Sequence, residues 1–185
     1  MLSLRLQPLL ALVFLTALSA CSTAPKASNR ASFLRAAENT KLDFIEKVSG
    51  LEEQIASSAG VIVFPGIGEW GSIFGGGRFG RAVFSRPDGE QVGWALLQSG
   101  SVGLGAGIRR FQMLVVLRDE EAVESFRNRR LTGDVTAAAV VGNVGGSTAA
   151  VFENGVAVYQ SAGTGLLVGA RLSLDLLLYE PYEED

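Results

Sequence analysis

Glycine distribution constrains this chain more than any other feature. Of 185 residues, 23 are glycine, and all but Gly50 lie between Gly60 and Gly169. Short runs of Val, Ile, Leu, Phe and Ala fill the gaps. Glycine inside strands marks bulges, sharp coiling or close backbone approach. Many short strands with turns between them suggest a closed barrel or a sandwich. The expected fold is therefore mainly β within an α+β class. It is a small, glycine-rich, strongly curved antiparallel sheet or barrel with an N-terminal helix and one further short helix.

The candidate strands are Val61–Phe64, closed by Pro65-Gly66, then Trp70–Gly76, Phe79–Ser85, Gln91–Gln98 and Phe111–Leu117. Val135–Val141, Thr148–Phe152, Val156–Gln160 and Leu166–Leu174 follow. Pro87-Asp88-Gly89 is turn chemistry, with proline presetting φ and glycine supplying a positive φ. Asn154-Gly155 between apolar pairs is a hairpin signal, because a type I′ turn needs positive φ at both central residues.

Two segments read as helix. Over residues 32–57, Phe33, Ala37, Phe44, Val48, Leu51 and Ile55 recur at three- and four-residue steps, widened by Leu34 and Ile45. The spacing predicts an amphipathic helix, breaking near Gly50, that covers a strand core. In the second helix Asp119, Glu120 and Glu121 place negative charge at the start, and Arg127, Arg129 and Arg130 place positive charge at the end. Val123 and Phe126 would face the core.

The N-terminus has a different character. After Met1 and Arg5 comes the apolar run Leu9–Leu18, then Leu18-Ser19-Ala20-Cys21. A positive start, an apolar middle and small residues before a cut site make a secretory signal over residues 1–20. The run is too short for a membrane span, which takes roughly 20 apolar residues. The stretch ending at Cys21 resembles the lipobox of bacterial lipoproteins. That resemblance implies cleavage before Cys21 and acylation, including palmitate, of the only cysteine. Ser22 stands where an aspartate would retain such a protein at the inner membrane, so the expected location is the outer membrane, facing the periplasm. Residues 21–31 are small and polar and read as a lipidated tether, and residues 58–185 as the β domain.

Composition narrows the chemistry. The net charge is −3, and loss of Arg5 with the leader takes it to −4. A mildly acidic domain lacks the basic footprint of a nucleic-acid binder. There is no histidine, which excludes a Ser-His-Asp triad and histidine metal ligands. With Cys21 committed to lipid, no thiol nucleophile, thiolate metal site or disulfide remains. Lys26, Lys41 and Lys47 are the only lysines, and none lies in the β region. No pair of acids stands in a hydrolase motif. The expectation is a non-enzymatic protein with no cofactor and no metal.

Gly75-Gly76-Gly77-Arg78-Phe79-Gly80 spells G-x-G-x-x-G, but a dinucleotide site needs that loop to open a helix. Here Arg81–Arg86 follows as strand, then Pro87. Gly100–Gly107 lacks the Gly-Lys-Ser/Thr ending of a P-loop. Taken in order, five blocks resemble the SYLF domain family over about Ala59 to Leu174: Ala59–Pro65, Gly76–Gly80, Ser101–Gly107, Leu117–Phe126 and Val158–Gly169. Gly105 stands where the family commonly has glutamine, and Ala82 where it has glycine. The first departure removes a polar side chain from the central loop.

The resemblance implies a lipid-binding or scaffolding module. Eukaryotic members bind phosphoinositides, and a yeast branch binds actin. The partners expected here are the membrane through acylated Cys21, a phospholipid ligand and an envelope protein. Candidate anionic-lipid contacts are Arg78, Arg81, Arg86, Arg109 and Arg110, because a planar guanidinium grips phosphate bidentately. Solvated arginines balancing nearby carboxylates are the competing reading of the same residues. For the chain, the competing reading is a structural or protein-interaction module with no lipid site of its own.

Overall fold

The computed structural model describes residues 23–72, 74–128, 139–141, 147–148 and 152–182; for 101–105, 139–141, 147–148 and 165–176 it describes the backbone alone. The signal segment and Cys21, Arg129 and Arg130, and most of the Val135–Val141 and Thr148–Phe152 candidates lie outside the described residues.

The elements in chain order are α1 (Ala27–Lys47), β1 (Val48–Ser49), α2 (Leu51–Ala56), β2 (Gly60–Gly71), β3 (Gly76–Ser85) and β4 (Gln91–Leu117). After these come α3 (Glu120–Arg127), β5 (Ala139–Val141), β6 (Ser147–Thr148), β7 (Val156–Ser161) and β8 (Thr164–Pro181). The fold is mainly antiparallel sheet, curved but not closed into a barrel. Two short pairings, β1 with β6 and β5 with β7, are parallel.

One strand organises the sheet. Gln91–Gln98 and Phe111–Leu117, expected as separate strands, are the two ends of β4. Its N-terminal half pairs with β3 and its C-terminal half with β2. Along residues 93–110 its other edge pairs with β8, and along 113–117 with β7. A strand that changes neighbours along its length must coil, and the sheet curves with it.

Pro65-Gly66 does not end β2. Val63 pairs with Val83 and Gly66 with Arg81, so β2 carries one extra residue here. The same extra residue appears against β4, between the Phe64–Met113 and Ile67–Phe111 pairs. Proline has no N–H for the ladder, and a bulge lets the strand continue past it. The bulge also inverts the alternation beyond it, a consequence that decides the functional face.

The sheet buries both faces. Ile62, Phe64, Ala82, Phe84, Val115 and Leu117 pack on one side with Val123 and Phe126 of α3. Val61, Val63, Val83, Trp94, Leu114 and Val116 pack on the other with Ala37, Phe44, Val48, Leu51 and Ile55. The helical stripe read from spacing is thus a covering face, and Gln112 Nε2 donates to Thr40 Oγ1 of α1 at 3.1 Å. α1 ends at Lys47 and α2 starts at Leu51, with Gly50 at φ 82° capping the second segment.

The first helix starts at Ala27 rather than Ser32, so residues 23–31 are not a free tether. The Thr23 N–H donates to Glu180 Oε2 at 2.7 Å, and Thr23 is buried. Phe33 packs on Trp94 with ring centroids 6.1 Å apart. Composition suggested a solvated segment; docking onto β8 and the sheet organises it.

Helix α3 has a charged cap. Asp119 Oδ1 accepts the Ala122 N–H at 3.0 Å, and this bond, together with Arg118 Nε at 2.8 Å, holds the Asp119 carboxyl below its ordinary value of 3.8.

Candidate functional site

The five candidate arginines do not form one cluster. Directly paired residues share a sheet face, so register sorts them. Glu69 pairs with Arg78 on β3 and with Arg109 on β4. Arg78 Nε lies 3.2 Å from Glu69 Oε1, and Arg109 donates to Glu69 Oε2 from Nε at 3.0 Å and from a terminal nitrogen at 2.6 Å. Glu69 is buried, so both cations are committed to neutralising one carboxylate that would be costly to bury alone. Arg86 bonds to Glu120 of α3 and donates to the Ala59 carbonyl at 2.8 Å. It ties α3 to the start of β2.

Arg81 and Arg110 differ. Arg81 pairs with Gly66 and Arg110 with Gly68. Both occupy the face that α1 covers elsewhere, opposite the Glu69 clamp. The Arg81 guanidinium sits over the Phe79 ring, 5.3 Å from its centroid.

Sequence reasoning missed the apolar companions of these two arginines. Trp70 pairs with Ile108, and Phe79 pairs with Gly68, so all three large side chains share the face of Arg81 and Arg110. They are exposed: Trp70 by 55%, Phe79 by 45% and Ile108 by 69%. Phe74, in the turn between β2 and β3, is 85% exposed. Single exposed hydrophobes need no explanation, but a contiguous group of them marks an interaction surface. Trp70, Phe79 and Ile108 line a groove of about 440 Å³ together with Arg110. A neighbouring groove of about 730 Å³ shares Gly66 and Phe79 and runs to the start of α1, past Arg81, Arg30 and Lys26.

Gly77 explains the motif that imitated a nucleotide loop. It pairs with Trp70, and a Cβ at Gly77 would lie 2.5 Å from the Ser99 carbonyl oxygen and 3.4 Å from Trp70 Nε1. The glycine makes room for a close backbone and for the indole across from it. Gly77→Ala is expected to cost at least about 1 kcal/mol, the lower end for overpacking. Its Trp70 emission should shift as well, which a fluorescence-monitored urea titration would detect. An unchanged midpoint and spectrum would contradict this packing.

Among the described residues, no group of three or more acids or cysteines could hold a metal ion. No described helix is long and apolar enough to cross a membrane.

Fold and site together define a class: a small curved β domain carrying an exposed apolar face with cations beside it. Residues 98–181 match the family model described as Ysc84: Las17-binding protein actin regulator. The match covers a little under half of the chain and supports a domain of the SYLF family there, a kind of domain known for binding. The matched segment runs from β4 through β8 and holds three of the five blocks read from sequence. Ala59–Pro65 and Gly76–Gly80 lie before it. No curated protein matches the chain.

Proposed function

We propose that this protein is a bacterial envelope lipoprotein, anchored by acylated Cys21 at the outer membrane and facing the periplasm. Its SYLF domain binds lipid and catalyses no reaction. The observation that carries the lipid reading is the exposed group of Trp70, Phe79 and Ile108 beside Arg81 and Arg110. Apolar side chains next to guanidinium groups suit the boundary between acyl chains and phosphate. The actin-regulating role in the family description does not enter, because an exported lipoprotein does not meet actin.

The amphipathic stripe of α1 is not the lipid-binding element in this reading. Phe44 is 3% exposed and belongs to the core. Sedimentation with phosphatidylglycerol vesicles tests the proposal, using protein that begins at Ser22 and so lacks the acyl anchor. Binding is expected at low salt, weaker at high salt, since exposed charges are screened over roughly 8 Å at physiological ionic strength. Ile108→Asp should weaken it at both. Absence of binding under either condition would overturn the lipid site and leave the protein-interaction module. A fatty-acid label should enter the full chain and be lost in Cys21→Ala; an unlabelled wild type would overturn the anchor.

A further inference from the structure

We infer that the domain lies directly against the bilayer that holds its anchor, with the α1–sheet groove and the Trp70 face on the lipid surface. The inference rests on acylation of Cys21, as proposed above, and adds the geometry of the bound state.

The leash is short. Thr23 is fixed to the domain: its N–H is held by Glu180, and the residue is buried. Two residues of fully extended chain span at most about 7 Å, so an acylated Cys21 keeps Thr23 within that distance of the lipid interface. A flexible decapeptide would let the domain stand off; a two-residue connection does not.

A groove opens at that end of the molecule. The groove beside Thr23 starts at Ala24 and Pro25 and continues along the sheet through Gly66 and Phe79. The second groove takes over at the same two residues and leads to Trp70 and Ile108. Thr23 therefore sits at one end of a continuous track lined by both charged and aromatic side chains.

Charge favours the same orientation. Lys26, Arg30, Arg81 and Arg110 line this track. Two carboxylates also line it: Glu69, held by Arg78 and Arg109 on the other sheet face, and Glu180, which accepts from the Thr23 amide, so cations outnumber acids along the track. The surface presented outward is cationic and aromatic, which complements anionic headgroups above an apolar layer. The bulge at Pro65-Gly66 places Trp70 on this side.

The chain carries its own reporters, because it has two tryptophans: Trp94 is 1% exposed and Trp70 is 55% exposed. The full-length acylated protein in phosphatidylglycerol-containing vesicles is titrated with phospholipid bearing a shallow nitroxide, and separately with iodide in the aqueous phase. Quenching of the wild type by the nitroxide lipid is expected to exceed that of Trp70→Phe several-fold, while iodide quenches both weakly. A fatty-acid label on the same sample separates the two readings. Labelled protein whose Trp70 emission responds to iodide and not to nitroxide lipid would overturn the docked geometry and leave the anchor standing. Protein without label would overturn both.

Discussion

Phe126→Ala is expected to lower the unfolding free energy by about 3–5 kcal/mol, the range for truncating a buried aromatic to alanine. Phe126 is fully buried in the last turn of α3. Its ring meets Phe84 of β3 edge-on at 5.2 Å and Tyr179 of β8 at 5.4 Å, and those two rings meet each other at 6.1 Å. Such edge contacts add about 0.5–1.5 kcal/mol per pair beyond burial. The three residues come from distant parts of the chain, so collapse around the cavity would require moving a strand. Urea unfolding should show a lower midpoint with an unchanged slope. Coincident curves for wild type and variant would mean that α3 does not seat on the sheet.

Gly155→Val is expected to cost about 2–4 kcal/mol, because backbone strain and overpacking act together. Asn154 and Gly155 have φ of 49° and 79°. Glu153 and Val156 exchange both N–H···O bonds, each at 2.9 Å, which makes 153–156 a two-residue hairpin. A β-branched residue is poorly tolerated at positive φ. A Cβ at Gly155 would also lie 3.2 Å from the Ala122 Cβ and 3.7 Å from Asp119 Oδ1. The turn therefore packs on the capped start of α3. Thermal melts compare wild type and variant, with Asn154→Gly as a control that keeps the turn conformation available. Equal melting temperatures for Gly155→Val and wild type would exclude the turn.

The arginine candidates show where reading along the chain stops. Guanidinium chemistry selects Arg78, Arg81, Arg86, Arg109 and Arg110 equally. Their different environments depend on cross-strand register. Arg78 and Arg109 are 31 positions apart in numbering, yet both sit opposite Glu69. Nothing near either residue in sequence announces that partner. Trp70, Phe79 and Ile108 look like core residues by type, and only the limit of α1's coverage leaves them exposed.

Features set by near neighbours were legible from sequence alone. The Asn154-Gly155 turn follows from the φ those two residues accept. The helix over Glu120–Arg127 follows from its charge order, and the α1 stripe follows from three- and four-residue spacing. The tertiary structure decided features that depend on parity and on pairing at a distance. One extra residue at Pro65-Gly66 moves every later side chain of β2 to the opposite face, so Glu69 turns toward its two arginines and Trp70 toward Phe79 and Ile108. Sequence can mark a proline and a glycine there. Whether they end a strand or bulge within it depends on the backbones of β3 and β4 alongside, because their hydrogen bonds carry the strand past a residue that has no N–H to give.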